Sequence, residues 1–262
     1  MKKLPLFITL AVIVLLNSCT KDSGLNANNT PDTSLKVKTL TEDVVDSFNM
    51  ANNTHTVFTL SYDGEDRLIK MESENYNIDF EYGNNIIKKN IYEKGQPAQH
   101  FYYYFKNDLL LDSSVVITES SPGDTMHATY IYNEQGQLEQ EIDIVKDNVS
   151  DKDSFVYEYT YDSRGNLTGY LANASWGYYG SGSYTYSDSA NFSNSADMIY
   201  PDKIYSPNLL EKASSDSWVP GSGSIDSYYK YKFDNNHRIV EIIRSDIFST
   251  GYVFTFTTSY TY

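Results

Sequence analysis

The feature that most constrains this chain is a turn used five times. Tyr161-Asp162-Ser163-Arg164-Gly165-Asn166-Leu167 recurs in looser form as YDGEDRL from Tyr62, YFKNDLL from Tyr104, YNEQGQL from Tyr132 and FDNNHRI from Phe233. In each copy an aromatic residue stands six places before an aliphatic one. Asp or Asn suits the first position of a type I turn, and a left-handed residue at the fourth closes a three-residue hairpin loop with a bulge. The residues at that fourth place are Asp66, Asp108, Gly136, Gly165 and His237, types that tolerate positive φ. The pattern predicts pairing of Asp162 with Asn166 and of Tyr161 with Leu167, one apolar cross-strand pair per hairpin. Phe105 stands where Asp or Asn is expected, which makes the Tyr104 copy the least regular.

Aromatic residues alternate in the stretches before these turns: Phe58, Leu60, Tyr62; Phe101, Tyr103, Phe105; Phe155, Tyr157, Tyr159, Tyr161; Tyr229, Tyr231, Phe233. Their neighbours are polar, as at Glu158, Thr160, Lys230 and Lys232. A period of two means strands with one buried face. The 101–105 set runs one residue out of step with Tyr104. A strand pair is expected within Val37–Phe48, and single strands over 55–62, 67–73, 76–82, 85–92, 99–105, 108–119, 125–132 and 137–145. Regular strands resume from Ile225 to Tyr262. Gly83-Asn84-Asn85 reads as a tight turn with left-handed angles. Short connections imply an all-β antiparallel meander of roughly a dozen or more strands. The 25 tyrosines weigh against a dry sandwich, whose buried hydroxyls would lack partners. They predict a wide barrel or trough in which water reaches the phenols. Residues 172–224 break the rhythm, being rich in Ser, Gly and Asn and holding Pro201, Pro207 and Pro220, and they read as an irregular insertion.

The formal charge of −15 leaves no positive footprint, which excludes nucleic acid and anionic headgroups as direct partners. Residues 1–18 have the form of a signal peptide: Lys2 and Lys3, an apolar run from Leu6 to Leu16, then Asn17-Ser18-Cys19. Leu16-Asn17-Ser18-Cys19 resembles a bacterial lipobox, so Cys19 is the expected lipidation site and the membrane a partner through that anchor. Several acyl chains hold firmly, each buried CH₂ adding about 0.8 kcal/mol. Cys19 is also the only cysteine, so no disulfide forms within one chain. Thr20-Lys21-Asp22 resembles the acidic export tag of surface lipoproteins, which implies display at the cell surface. Residues 19–34 follow as lipidated Cys and flexible tether, and 35–262 as a single β domain.

Taken together, the lipobox, the repeated turns, Ile204-Tyr205-Ser206-Pro207-Asn208-Leu209-Leu210 and the closing YYKYKFDNNHRIVEI…SYTY resemble a family of uncharacterised Bacteroidetes lipoproteins, described as a domain of unknown function with a porin-like fold. The turn is also similar to the YD repeats of RHS-type shell proteins. The resemblance implies a curved antiparallel sheet, closed or nearly closed, in an outer-membrane setting. It brings no catalytic residues.

Chemistry-bearing motifs are sparse. His55, His100, His127 and His237 are isolated, with no metal-site spacing, and no metal or cofactor is expected. Asp147, Asp151 and Asp153 lack the Gly and Glu of a calcium loop. Gly180-Ser181-Gly182-Ser183 has the wrong order for a nucleophile elbow, and no carboxylate pair is singled out for glycoside hydrolysis. Catalysis is not expected. The ligand-binding candidates are Trp176, Tyr178, Tyr179 and Trp218, flat rings suited to the apolar faces of sugars, on loops borne by a rigid sheet. The expected role is non-enzymatic binding of a glycan or protein ligand. The alternatives are a structural envelope component, a transmembrane barrel, whose assembly signal the alternating aromatic C-terminus resembles, and a glycan-acting hydrolase.

Overall fold

The computed structural model describes residues 36–47, 52–106, 110–119, 125–146, 153–190, 206, 208–217 and 223–262. Among them sixteen strands follow one another. They are β1 (Thr39–Asp46), β2 (Thr54–Tyr62), β3 (Leu68–Glu72), β4 (Tyr76–Gly83), β5 (Ile86–Glu93), β6 (Gln96–Phe105), β7 (Leu111–Thr118) and β8 (Thr125–Tyr132). The second half comprises β9 (Leu138–Lys146), β10 (Asp153–Tyr161), β11 (Leu167–Ala174), β12 (Gly177–Ala190), β13 (Asn208–Ser217), β14 (Ser224–Phe233), β15 (Ile239–Phe248) and β16 (Val253–Thr261). Every strand pairs antiparallel with its neighbours in sequence, and β1 pairs with β16 from Thr39–Thr261 to Asp46–Phe254, so the meander closes into a barrel. Closure removes the two exposed edges that an open sheet would present to other chains.

The repeated turns all fall at one end, because each joins an even strand to the next odd one. The predicted geometry holds: Asp162 N–H donates to Asn166 O at 2.9 Å, Tyr161 lies opposite Leu167, and Asp66, Gly136, Gly165 and His237 have φ of 67°, 76°, 87° and 60°. In four copies the first turn residue accepts two backbone N–H bonds through Oδ1. Asp63 takes Glu65 and Arg67, Asn133 takes Gln135 and Gln137, Asp162 takes Arg164 and Asn166, and Asp234 takes Asn236 and Arg238, all at 2.8–3.0 Å. The remaining polar atom reaches the side chain four residues on: Arg67, Gln137, Asn166 or Arg238.

The fifth copy is corrected by one residue. Phe105, not Tyr104, pairs across the turn, with Leu111 rather than Leu110, and Lys106 N–H bonds Leu110 O at 2.9 Å. That shift restores the phase of Phe101, Tyr103 and Phe105, and it moves the turn tip onto residues outside those described, Asp108 included. Two further expectations change. Val37–Phe48 holds one strand, β1, not two. The stretch 172–224 is not simply an irregular insertion, since it contains β12 and β13. Glycines obscured β12: a Cβ on Gly182 would stand 2.2 Å from Tyr170 Cε1, because the Tyr170 ring occupies the space a side chain would fill.

After all five of these turns the pairing slips by one residue, as between Thr160 and Tyr161 or between Ile131 and Tyr132, and the β12–β13 ladder slips likewise between Thr185 and Tyr186. Such bulges bend and twist strands at barrel rims. Beyond the bulges that precede Leu68, Leu138, Leu210 and Ile239 a tyrosine hydroxyl meets the strand-start carbonyl. Tyr62, Tyr82, Tyr161, Tyr231 and Tyr262 donate hydroxyl bonds to the carbonyls of Val37, Leu68, Leu138, Leu210 and Ile239 at 2.8–2.9 Å. The tyrosine at the end of one hairpin thereby caps the start of the hairpin before it. Arg67 lies over the Tyr82 ring at 4.7 Å and Arg238 over Tyr262 at 4.3 Å, so two of the turns also reach forward. These five rim hydroxyls are satisfied by backbone carbonyls, so they need no water.

Inside the rim, Leu40, Phe58, Leu68, Met71 and Ile239 are wholly buried and pack with Ile78, Phe80, Leu209, Ile242 and Tyr260. A second cluster joins Ile87, Tyr103, Leu111, Ala128, Tyr130 and Leu138. Sixteen strands leave an aqueous channel in porins. Side chains with no exposure cannot line one, so this lumen is filled where those residues lie. The outward face carries charge along its strands, including Glu72, Glu81, Lys88, Glu158, Lys230 and Lys232.

Two stability measurements check this account. Tyr161→Phe removes the cap on Leu138 O and is expected to cost about 1–3 kcal/mol, the penalty for a stranded carbonyl. Gly182→Ala is expected to cost about 1–3 kcal/mol through overpacking, and almost nothing in a Tyr170→Ala background, read as a double-mutant cycle in denaturant.

Candidate functional site

The end of the barrel opposite the turns carries the aromatic candidates. β11 and β12 are joined there by Ser175-Trp176, with Ala174 paired to Gly177 and the φ of Gly177 at 128°, a value that suits glycine. Trp176 is 53 % exposed at this tip, and its ring meets the edge of Phe155 at 5.5 Å. Tyr179 falls at a bulge between Asn173–Tyr178 and Ala172–Gly180 and packs on the same Phe155 at 5.0 Å. Tyr178 points to the outer wall, where its hydroxyl donates to Asp216 Oδ1 at 2.9 Å. Ser181 adds its N–H and hydroxyl to the same oxygen at 3.1 and 2.8 Å. The hydrogen bonds from the Ser181 and Tyr178 hydroxyls hold the Asp216 carboxyl below the usual range, so it stays an acceptor. The structure therefore brings Trp176, Tyr178 and Tyr179 to one hairpin. Trp218 lies outside the described residues, as do Cys19, Asp147 and Asp151.

A second constellation faces inward on β9 and β10. Glu141 and Asp143 share the lumen side, opposite Tyr157 and Phe155. Tyr159 donates to Glu141 Oε2 at 2.7 Å. Asp143 is 8 % exposed, and its Oδ1 has no hydrogen-bond partner among the described residues. Burial, with the neighbouring Glu141 charge, pushes its carboxyl up to about 7. Burial also raises the Tyr157 and Tyr159 phenols well above their ordinary value, with nearby acids adding to the effect. Across the lumen wall, Arg244 pairs with Asp246 at 3.1 Å and lies over Phe256 at 3.9 Å.

The sequence reading missed Glu141 and Asp143 for a definite reason. Counting alternation from Leu138 puts Gln140, Ile142 and Ile144 inward. The bulge after the turn reverses that phase, so Glu141 and Asp143 enter the lumen and the isoleucines face out. The same reversal puts Arg244 and Asp246 inside on β15. The signal was present in the acids at alternate places in LEQEIDIVK, but reading it required knowing where the bulge falls. Among the described residues no group of three or more His, Cys, Asp or Glu is placed to hold a metal ion.

Asp143 gives a pH test. Its folded pKa lies above that of an ordinary aspartate, so the folded state takes up a proton more readily than the unfolded one. Its contribution to stability therefore falls as pH rises from about 4 through about 7. Asp143→Asn is expected to raise Tm relative to the parent at pH 8 and to leave it little changed at pH 4.

No protein-family model matches the chain, and no curated protein matches its sequence. Solved structures do. A porin-like protein from Bacteroides uniformis aligns over 86 % of this chain and 96 % of its own with a TM-score of 0.55 at 14 % identity. A porin-like protein from Bacteroides vulgatus aligns over 86 % and 98 % with a TM-score of 0.57 at 13 % identity. At that identity the likeness shows a shared fold: this chain is a closed β-barrel of porin-like architecture.

Proposed function

We propose that the protein is an outer-membrane lipoprotein, anchored through Cys19, whose exposed barrel end binds a glycan without catalysing a reaction. The observation that carries this reading is the hairpin tip at Trp176 and Tyr178. It offers two exposed rings beside an ionised hydrogen-bond acceptor, Asp216, at the end of the barrel away from where the chain begins β1. An anchor preceding Val37 would hold the turn end toward the membrane and leave the Trp176 end outward. The porin-like neighbours fit an outer-membrane location. A membrane-spanning barrel is disfavoured by the charged outer face, since each Lys or Arg at the bilayer midplane costs about 2–4 kcal/mol. Exposed aromatics on a rigid sheet suit the apolar faces of pyranoses, and Asp216 suits their hydroxyls.

Thermal melts against a panel of polysaccharides and oligosaccharides test the reading. A ligand at a hundredfold excess over its dissociation constant adds about 2.7 kcal/mol to the folded state. The expected result is a saturable rise in Tm that Trp176→Ala and Tyr178→Ala each abolish without lowering the ligand-free Tm. No rise with any glycan would overturn it and favour a protein ligand or a structural role. Anchoring is read separately: Cys19→Ala is expected to move the protein from the detergent phase to the aqueous phase.

A further inference from the structure

We propose that the lumen wall at Glu141 and Asp143 is a binding site for an ammonium-type cation. Two carboxyls two residues apart on one strand face repel each other, and here both point into the barrel. One is engaged, since Glu141 Oε2 accepts the Tyr159 hydroxyl at 2.7 Å. The other is not: Asp143 is 92 % buried, given its 8 % exposure, and its Oδ1 meets no donor among the described residues. Burying a carboxylate without a partner is costly, and native sites that do so are commonly completed by something bound.

Among the described residues no cation completes Asp143. Burial and Glu141 are the influences that act on the Asp143 carboxyl, and both disfavour its charge. Asp246, an inward carboxyl on another part of the wall, has Arg244 beside it at 3.1 Å. The surroundings of Asp143 select the class of cation. In register with it are Ala128 on β8, a small side chain, and Phe155 on β10, which offers a ring. Tyr157 faces Glu141 across the ladder. Aromatic faces attract ammonium groups, and N–H donors make charge-assisted bonds to carboxylates. A divalent metal would want more oxygen ligands than two carboxyls supply, and no three-ligand group is present among the described residues. The ammonium head could belong to a small free amine or to a lysine side chain presented by another molecule.

The test uses the full chain in a non-ionic detergent, with methylammonium chloride and Nα-acetyl-lysine methylamide as probes and sodium and potassium chloride at equal ionic strength as controls. The expected result is a saturable rise in Tm with an amine beyond the salt controls, larger at pH 8 than at pH 6. Calorimetry at pH 7 in two buffers should show a proton released on binding. Asp143→Asn should abolish binding while melting cooperatively at or above the parent. Glu141→Gln, which keeps an acceptor for Tyr159, should weaken binding at least tenfold. Binding of methylammonium points to a free amine, and binding of the lysine amide alone points to a presented side chain. An equal shift with potassium chloride, undiminished binding in Asp143→Asn, or no shift at pH 8 overturns the proposal. Tyr178→Ala, on the outer wall, should leave amine binding intact, which separates this site from the glycan-binding reading.

Discussion

The barrel depends on a hydrogen bond between hairpins that the turn motif alone does not reveal. A local YD turn builds one hairpin, and separate hairpins are not a barrel. At the turn end, adjacent hairpins part before their ladder begins, which leaves strand-start carbonyls without backbone partners. The tyrosine hydroxyls that meet the carbonyls of Val37, Leu68, Leu138, Leu210 and Ile239 close those gaps. Each ring also fills the lumen rim, so one side chain supplies apolar packing and satisfies a polar group. In the copies at Tyr62 and Tyr161 the motif's first residue therefore acts across to the preceding hairpin, while its Asp acts within its own.

The bulge that follows each turn is the second constraint. It keeps both the aliphatic residue ending the motif and the residue three places later on the inner face, as with Leu68 and Met71 or Ile239 and Ile242. On β9 and β15 the same offset admits charge to the interior. Arg244 pairs with Asp246, and Glu141 and Asp143 sit among tyrosines. The lumen has an apolar rim at the turn end and polar groups deeper in. That arrangement differs from a sandwich core and from an open pore.

The two ends of the barrel are chemically unlike, and this bears on function. One end is a run of similar capped turns, stiffened by Asp, Asn and Arg side chains and close to where β1 starts and β16 ends. The other has connections that differ from one another, among them the Trp176 tip. Repetition at one end holds the scaffold, and variety at the other leaves positions free to carry recognition.

Much of the fold was legible because its determinants are local. Strand period, Asp and Asn at turn starts, and left-handed positions at Asp66, Gly136, Gly165 and His237 are properties of a few consecutive residues. The aromatic tip at 176–179 was legible too, since exposed rings in a Gly- and Ser-rich stretch stand out. What escaped the sequence were facts set by registration between strands. The Phe105 turn was misplaced by one residue, because a cross-strand partner decides the register and either reading satisfied the local spacing. β12 was missed because Gly182 makes room for Tyr170 on the neighbouring strand, and a glycine chosen for its neighbour looks like a glycine in a loop. Glu141 and Asp143 went unnoticed because a single bulge reverses every side chain after it. The sequence by itself determined the turns, the strands and the all-β class. Which face each strand buries, and so what chemistry the lumen contains, was decided only when the strands paired.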